Sequence, residues 1–332
     1  ISRTYKIMPY TQVANLDFNQ IKASLKEYMR AQSDFTDYDF EGSTLSVLLD
    51  TLAYNTYYTA FNTNMVVNEL FIDSATLRDN VVALAKQLGY RPKSATSPTA
   101  YVSFTVTYTN ATTDTELILK KGTGFTATYD NNVYNYVVLD DVKAQVANGV
   151  ATFTDVAVNE GTQLTNTFVI NSASKSQRFI LDNKSIDTNT IRVKVYPTGG
   201  SFNEPYLVAD NILGVDGTSK VFFLDEIEDE RYEILMGDGV LGKKLENNAR
   251  IEVSYLITSG PESNGVRTFV FSGVLENPNN VSPNSFSVTI NSTVAAAGGE
   301  EIESTQKIKY TAPKAYGTQE RAVTADDYEA IV

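Results

Sequence analysis

Three stretches of this chain carry residue types that could do chemistry. The first is "YEILMGDGVLGKKLENNARIEVSYLITSG", residues 232–260, where Gly237-Asp238-Gly239 stands close to Lys243 and Lys244. Such a set could hold a phosphate or a metal ion. A phosphate loop, however, runs into Lys followed by Ser or Thr and opens a helix. Here Lys243-Lys244 is followed by Leu245-Glu246, and "RIEVSYLI" has the period of a strand. The reading is therefore a structural turn joining two strands, with Gly237 and Gly239 free to take positive φ and Asp238 able to bond its own backbone. The second stretch, "DEIEDE" from Asp225 to Glu230, offers five carboxylates in six residues. It lacks the alternating oxygen ligands and central Gly of a calcium loop, and reads as a solvated acidic loop. The third, "KKGTGF", follows the strand pattern "TELILKK" directly, so Gly122 and Gly124 read as a hairpin turn or bulge. Carboxylate pairs such as Asp140-Asp141 and Asp326-Asp327 are types a glycosidase uses, but nothing in the sequence sets two of them across a cleft.

Composition narrows the chemistry further. The chain has neither histidine nor cysteine. Disulfides, thiolate ligands, thiol nucleophiles and every Ser-His-Asp or Cys-His arrangement are thereby removed. No catalytic, metal or cofactor-binding residue is assigned, and the expectation is not an enzyme. With 27 basic against 40 acidic residues the net charge is −13, which disfavours a phosphate backbone as partner. No apolar run approaches the ~18 residues of a membrane span. The start "ISRTYKIMPY" has no initiator Met or signal-peptide core, and "TADDYEAIV" opens a helix and stops after about two turns, so a fragment of a longer polypeptide is expected.

The elements that must position these residues fall into an α+β order. Residues 1–92 read as a helical N-terminal domain. "LDFNQIKASLKEYMRAQ" carries an amphipathic stripe, and Ser43 or Thr44 can cap the next helix after Gly42. That helix, "STLSVLLDTLAYNTYYTAFNTNMVVNEL", has one stripe of Leu45, Leu48, Leu49 and Leu52 and a second of Val47, Tyr54, Tyr58, Phe61 and Met65. Two stripes require cover on more than one side, as in a bundle. These nine residues are the candidate partner-helix seam, some closing within the chain and others on a partner. Were Leu48 or Leu52 buried, truncation to Ala would cost about 2–5 kcal/mol. A third helix lies in "DSATLRDNVVALAKQLGY", with Asp73 or Ser74 as its cap and Gly89 as its stop.

"RPKSATSPTA" holds the linker, residues 93–98. From Thr99 the period becomes two, and about ten short strands rich in Val, Ile, Phe, Tyr and Thr follow. Residues 99–298 are thus a β-rich middle region of one or two antiparallel units, with a possible division near 161–166. Residues 299–332, with the capping signal Thr324-Ala325-Asp326-Asp327, read as the truncated start of a further mixed α/β domain.

Taken together, "DYDFEGSTLSVLLDTLAYNTYY", "LFIDSATLRDNVVALAKQLGYRPKSATSP", "LKKGTGFTA" with "YNYVVLDDV", the 232–260 stretch and its continuation to "SGPESNG", and "TQERAVTADDYEAIV" resemble one family. It is the large wedge protein of contractile-tailed bacteriophage baseplates, within the baseplate-J-like group, and the likeness runs from about residue 30 to the end. The resemblance implies a structural subunit of the virion tail baseplate, assembled in the host cytoplasm. It implies helix bundling of the N-terminus with a second copy and with other wedge subunits, including those near the base of the tail sheath, and a ring around the hub that controls sheath contraction. It implies neither nucleic acid nor membrane insertion. By position the bundle helix maps onto Ser43 to Leu70 and the family's turn onto Gly237 to Leu241.

Two rivals remain open at this stage. A β-rich carbohydrate-binding or adhesin module would line an exposed cleft of the β region with aromatic residues. A carboxylate-dependent hydrolase would set two acids across a groove. The 20 tyrosines leave a further choice, because Tyr54, Tyr57 and Tyr58 suit either contacts between chains or a core within one chain.

Overall fold

The computed structural model describes residues 13–14, 17–32, 43–110, 112–173, 177–200, 202–209, 214–283 and 285–318. They form two compact units, the first from Ile1–Arg91 with Ser304–Val332 and the second from Pro92–Glu303. Helices precede a β-rich middle, as the sequence pattern requires.

In the first unit α1 is Phe18–Arg30, α2 Thr44–Glu69, α3 Arg78–Gln87 and α4 Thr305–Thr318. Asp17 caps α1, its carboxylate accepting from the amides of Asn19 and Gln20. Ser43 caps α2 by accepting from Ser46 N at 3.0 Å. The expected cap of α3 at Asp73 or Ser74 is corrected: the helix starts later, its capping position is Leu77, and Leu77 makes no side-chain cap. Ser74 instead donates to the carbonyl of Asn68. Glu69 braces the turn that leads into α3, accepting from Thr76 N, Thr76 Oγ1, Leu77 N and Asn80 Nδ2. At the other end Gly89 takes φ +79°, while Tyr90 N reaches Ala85 O at 3.0 Å and Gly89 N reaches Lys86 O. That is the left-handed glycine stop. Val81, Val82 and Ala85 of α3 form a core with Ile308 and Ala312 of α4. Residues Thr305–Thr318, within the expected 299–332 region, therefore form a helix that packs on α3. Residues 319–332, with their capping signal, lie outside the described residues.

Among the described residues the second unit contains sixteen strands in chain order. They are β1 Thr99–Tyr108, β2 Glu116–Leu119, β3 Gly124–Tyr129, β4 Asn132–Val137, β5 Val142–Ala147, β6 Val150–Glu160, β7 Thr162–Val169 and β8 Phe179–Leu181. They continue with β9 Ile186–Tyr196, β10 Glu204–Val208, β11 Val221–Ile227, β12 Arg231–Met236, β13 Arg250–Ile257, β14 Val270–Phe271, β15 Leu275–Glu276 and β16 Phe286–Ala297. A nine-stranded sheet runs β14-β3-β4-β6-β5-β2-β15, with β1 between β6 and β16. A seven-stranded sheet runs β7-β13-β9-β10-β11-β12-β8. Pairing is antiparallel apart from β10 with β11. Two tight hairpins explain their own sequences. Asp130-Asn131 and Asn148-Gly149 all have positive φ, the conformation of a two-residue primed turn. The chain passes between sheets at Gly161, where φ is +131° and an added Cβ would stand 2.4 Å from Ile257 O.

Each sheet has its own core. Phe104 stacks on Phe153 at 4.6 Å and meets Phe125 edge-on at 5.3 Å, inside the nine-stranded sheet. Ile234, Ile251, Val253, Tyr255 and Phe222 fill the other. Between them buried Glu160 accepts from Thr258 Oγ1, Ser259 N and Ser259 Oγ. Tyr136 donates to the carbonyl of Ser263, and burial pushes its phenol up to about 12. The expected linker 93–98 is also corrected. Thr96 pairs with Glu300 in both directions, Lys93 N donates to the Glu303 carboxylate, and Ser97 N donates to Asp187. Its small residues serve close packing, with Ser94, Ala95, Ser97 and Pro98 buried.

Truncating Phe104 removes the ring at the centre of this aromatic cluster. Phe104→Ala is expected to cost about 3–5 kcal/mol in denaturant unfolding. A loss below about 1 kcal/mol would mean that the cluster is not the core of its sheet.

Candidate functional site

The stretches with chemical potential resolve into architecture. Asp238 Oδ1 accepts from Val240 N at 2.8 Å and Leu241 N at 2.9 Å. Those bonds hold its carboxyl below the ordinary carboxylate range. Gly239 has φ +98°, but Gly237 is absent from the left-handed region; it is glycine because an added Cβ would stand 2.2 Å from the carbonyl carbon of Gly242. A second loop closes on this one, as Gly242 N donates to Asp216 O and Lys243 N to Ser219 O. Lys243 and Lys220 both pair with Glu204. The connection carries the chain from β12 to β13, with three strands between them in the sheet. Similarly, "KKGTGF" is a turn but not a hairpin, since β2 and β3 are not neighbours. Asp141 accepts from Lys120 and Lys121 there. "DEIEDE" is half strand: Asp225 to Ile227 finish β11, and Glu228–Glu230 turn the hairpin into β12. Among the described residues no cluster of three acids is placed to hold a metal ion.

The surface that remains unexplained is α2, 26 residues and about 39 Å long. Its buried residues are Ser46, Leu49, Ala53, Ala60, Asn64 and Asn68, small or polar except for Leu49. Helix α1 packs on this helix, tied by Lys22 to Asp50. Asn64, fully buried, accepts from Val13 N and Ala14 N and donates to Ala14 O. Of the nine seam residues, the chain itself buries Leu49, at 3% exposure, and half-buries Leu45. Val47, Leu48, Leu52, Tyr54, Tyr58, Phe61 and Met65 stand between 39% and 60% exposed. The condition of burial set for Leu48 and Leu52 is therefore not met within the chain: the buried positions of α2 are mostly small or polar, and the large apolar ones stay outside.

The exposed residues are ordered. Val47, Thr51, Tyr54, Tyr58, Phe61 and Met65 follow steps of four and three, the 3.5-residue repeat of a coiled-coil seam. Tyr54 and Tyr58 rings lie 5.0 Å apart along it. A hydrogen bond with Tyr58, and its charge, hold the Tyr54 phenol above its ordinary value. A second exposed line holds Leu48, Leu52, Val66 and the capping Leu70. Polar side chains do not oppose burial here. Thr51, Thr56, Thr59 and Thr63 each donate to the carbonyl four residues earlier. From residue 51 to 68 there is no charged side chain, and the flanking Asp50 and Glu69 are engaged inside the unit. The sequence reading missed Val66, Leu70 and the structural parts of Asn64 and Glu69. The lack of charge was the signal that could have added the first two.

The family described as "Baseplate wedge protein gp6-like, helical domain" matches residues 17–90, the span that contains α1, α2 and α3. The chain is similar to baseplate wedge proteins. Across its whole length it is 30% identical to the baseplate wedge protein gp6 of Enterobacteria phage T4, and it spans 52% of that relative. A solved cryo-EM structure of the anti-feeding prophage baseplate, 6-fold symmetrised, aligns with 97% of this chain and 63% of its own, at 14% identity and TM-score 0.28. That score carries no argument about fold. The wedge resemblance read from the sequence is met by the first two findings, and the wedge-like helical domain coincides with the exposed seam. No helix among the described residues is long and apolar enough to cross a membrane.

Two measurements check this geometry. Leu49→Ala is expected to cost about 2–5 kcal/mol, while Leu48→Ala and Leu52→Ala stay within about 0.5 kcal/mol in the isolated chain; equal losses would contradict the orientation of α2. Glu69 is held below the ordinary glutamate value: desolvation opposes this, and the bonds from Asn80, Thr76 and Leu77 together outweigh it. Its stabilisation is therefore complete above the unfolded value and is lost as pH falls through the folded one. The NMR signals of Thr76 and Asn80 are expected to titrate together below the ordinary glutamate range, and Glu69→Gln to abolish that titration. Titration at or above the ordinary value would remove Glu69 as the clamp on α3.

Proposed function

We propose that this chain is part of a structural subunit of a contractile-tail baseplate wedge, in the virion, and that α2 is the helix through which it is built into the assembly. The observation that carries the reading is the outer surface of α2: a coiled-coil repeat of exposed apolar side chains, free of charge, on a helix whose threonines bond their own backbone. The occupants proposed are a second copy and a helix of another wedge protein, one for each exposed line. The similarity to a named baseplate wedge protein supports this, and that relative is about twice as long as the matched chain. Contacts with subunits near the base of the sheath, and a part in ring formation and sheath contraction, belong to the same proposal.

The rivals find less support. An adhesin would gather exposed aromatic residues in a β-sheet cleft, whereas Tyr54, Tyr58 and Phe61 are exposed on a helix. Of the carboxylate pairs weighed for a hydrolase, Asp141 is engaged by Lys120 and the amide of Lys121, and Asp326-Asp327 lies outside the described residues. The relative is structural by its printed description, which favours a role without catalysis.

The test must use the whole chain, because α3 draws its core partners Ile308 and Ala312 from beyond residue 304. Tyr58 is 51% exposed, so Tyr58→Glu is expected to leave the melting midpoint unchanged. The same change is expected to weaken self-association in sedimentation by about tenfold or more, about 1.4 kcal/mol. Unaltered association, or loss of folding with the substitution, would sink the assignment of this seam.

A further inference from the structure

The distribution of charge marks a second surface, remote in sequence from α2. Residues 277–299 contain no Asp, Glu, Lys or Arg, the longest such run in the chain, and residues 94–113 contain none either. The fold brings these two runs together, because β16 lies in the first, β1 in the second, and they pair. Strand β1 is covered on its other side by β6, which makes β16 the outer strand of this part of the sheet.

The outer edge of β16 is closed at one end. Ala296 N donates to Val266 O at 2.9 Å, and Gly265 N donates to Ala296 O at 2.7 Å. Over residues 286–295 the sheet pairing among the described residues is with β1 alone. A strand edge is a row of backbone donors and acceptors that another strand satisfies, and proteins ordinarily guard it with short length, Lys, Pro or a bulge. Three other edge strands here are short: β8 has three residues, and β14 and β15 have two each. The remaining long edge, β7, has its Val169 carbonyl taken by Gln177 Nε2. Strand β16 has twelve residues with neither Lys nor Pro. Its guards are two irregularities: one at the end already closed, where the register passes from Thr99↔Ala297 to Tyr101↔Val294, and one within the open stretch, where it passes from Ser103↔Ser292 to Phe104↔Ile290 and Asn291 becomes the extra residue.

We propose that the outer edge of β16 is a self-association surface on which two copies pair their β16 strands antiparallel about a twofold axis. Charge selects this occupant. Two copies each at −13 repel wherever acidic surfaces meet, so close backbone approach is easiest where both present a neutral strip. An oppositely charged partner would gain nothing from that strip. The exposed side chains Ser287, Thr289 and Asn291 are short and uncharged, and Thr and Ser are suitable cross-strand neighbours. A twofold contact also needs only one self-complementary patch. The inference stands on observations separate from those that assign α2.

The experiment is sedimentation velocity with hydrogen–deuterium exchange on the full chain carrying Tyr58→Glu, compared with the same chain also carrying Ser287→Glu and Thr289→Glu. The Tyr58→Glu chain is expected to dimerise as concentration rises, with amides of residues 286–295 exchanging about tenfold or more slowly in the dimer. The added glutamates are expected to return it to monomer with its melting midpoint unchanged. A Tyr58→Glu chain that stays monomeric, a dimer without protection at 286–295, or a dimer indifferent to the glutamates would each overturn the proposal. The concentration-dependent protection needs no change in β16, so it decides the matter even if the glutamate variant fails to fold. Failure of the α2 reading shows elsewhere, as equal association of the unsubstituted and Tyr58→Glu chains.

Discussion

The constraint on which the helical unit depends is that α2 has more apolar surface than the described residues of this chain cover. A surface helix normally pays one face to the core and solvates the other with charge. Here the buried face holds Ser46, Ala53, Ala60 and Asn64, while Tyr54, Tyr58, Phe61 and Met65 are exposed. The inner residues are small, and the outer residues are too large and too regular to be scattered surface hydrophobics. Polar groups conform to the same arrangement. The threonine hydroxyls are spent on the helix's own carbonyls, and Asn64 on the backbone at Ala14, so a partner helix would strand few donors.

The β unit shows the opposite economy. Its large apolar side chains close on one another in two cores, and its polar groups fix the connections between them. Glu160 and Asp187 are buried carboxylates whose partners are neutral donors at the passages between strands. Asp216 and Asp238 perform the same service at the surface, where hydroxyl and amide donors to Asp216 bring its carboxyl to about 2. Acids that might have been read as catalytic thus act as turn-formers, accepting backbone amides that would otherwise lie unpaired.

Legibility in the sequence followed the range of the interactions. The order of helices before strands, the extent of α2 and the left-handed stop at Gly89 are local properties and were readable. The start of α3 was not, because its capping position, Leu77, makes no side-chain bond and the turn before it is braced by Glu69 from the end of α2. The linker 93–98 looked free because Pro and Ser are loop formers, and its pairing partner Glu300 is some two hundred residues away. For the same reason the glycine turn at Gly122 and Gly124 was recognised as a turn but offered as a hairpin or bulge: the turn conformation is local, whereas the sheet order is not. The two stripes on α2 were visible by period. Which of them the chain would cover depended on the small residues between, Ser46, Ala53 and Ala60, which a search for hydrophobic residues passes over.

Charge is the sequence property that ties the two proposed surfaces together. In an acidic chain, neutral runs are where like molecules can approach, and the three longest are 277–299, 94–113 and 51–68. Two of them make the β1–β16 edge and the third makes α2. A helix seam and a strand edge satisfy association differently: the seam removes apolar side chains from water, and the edge completes a row of backbone hydrogen bonds. Two independent twofold contacts on one chain also propagate, since each copy that pairs through one remains open at the other. In this chain both proposed surfaces lie where the run of charged residues is interrupted.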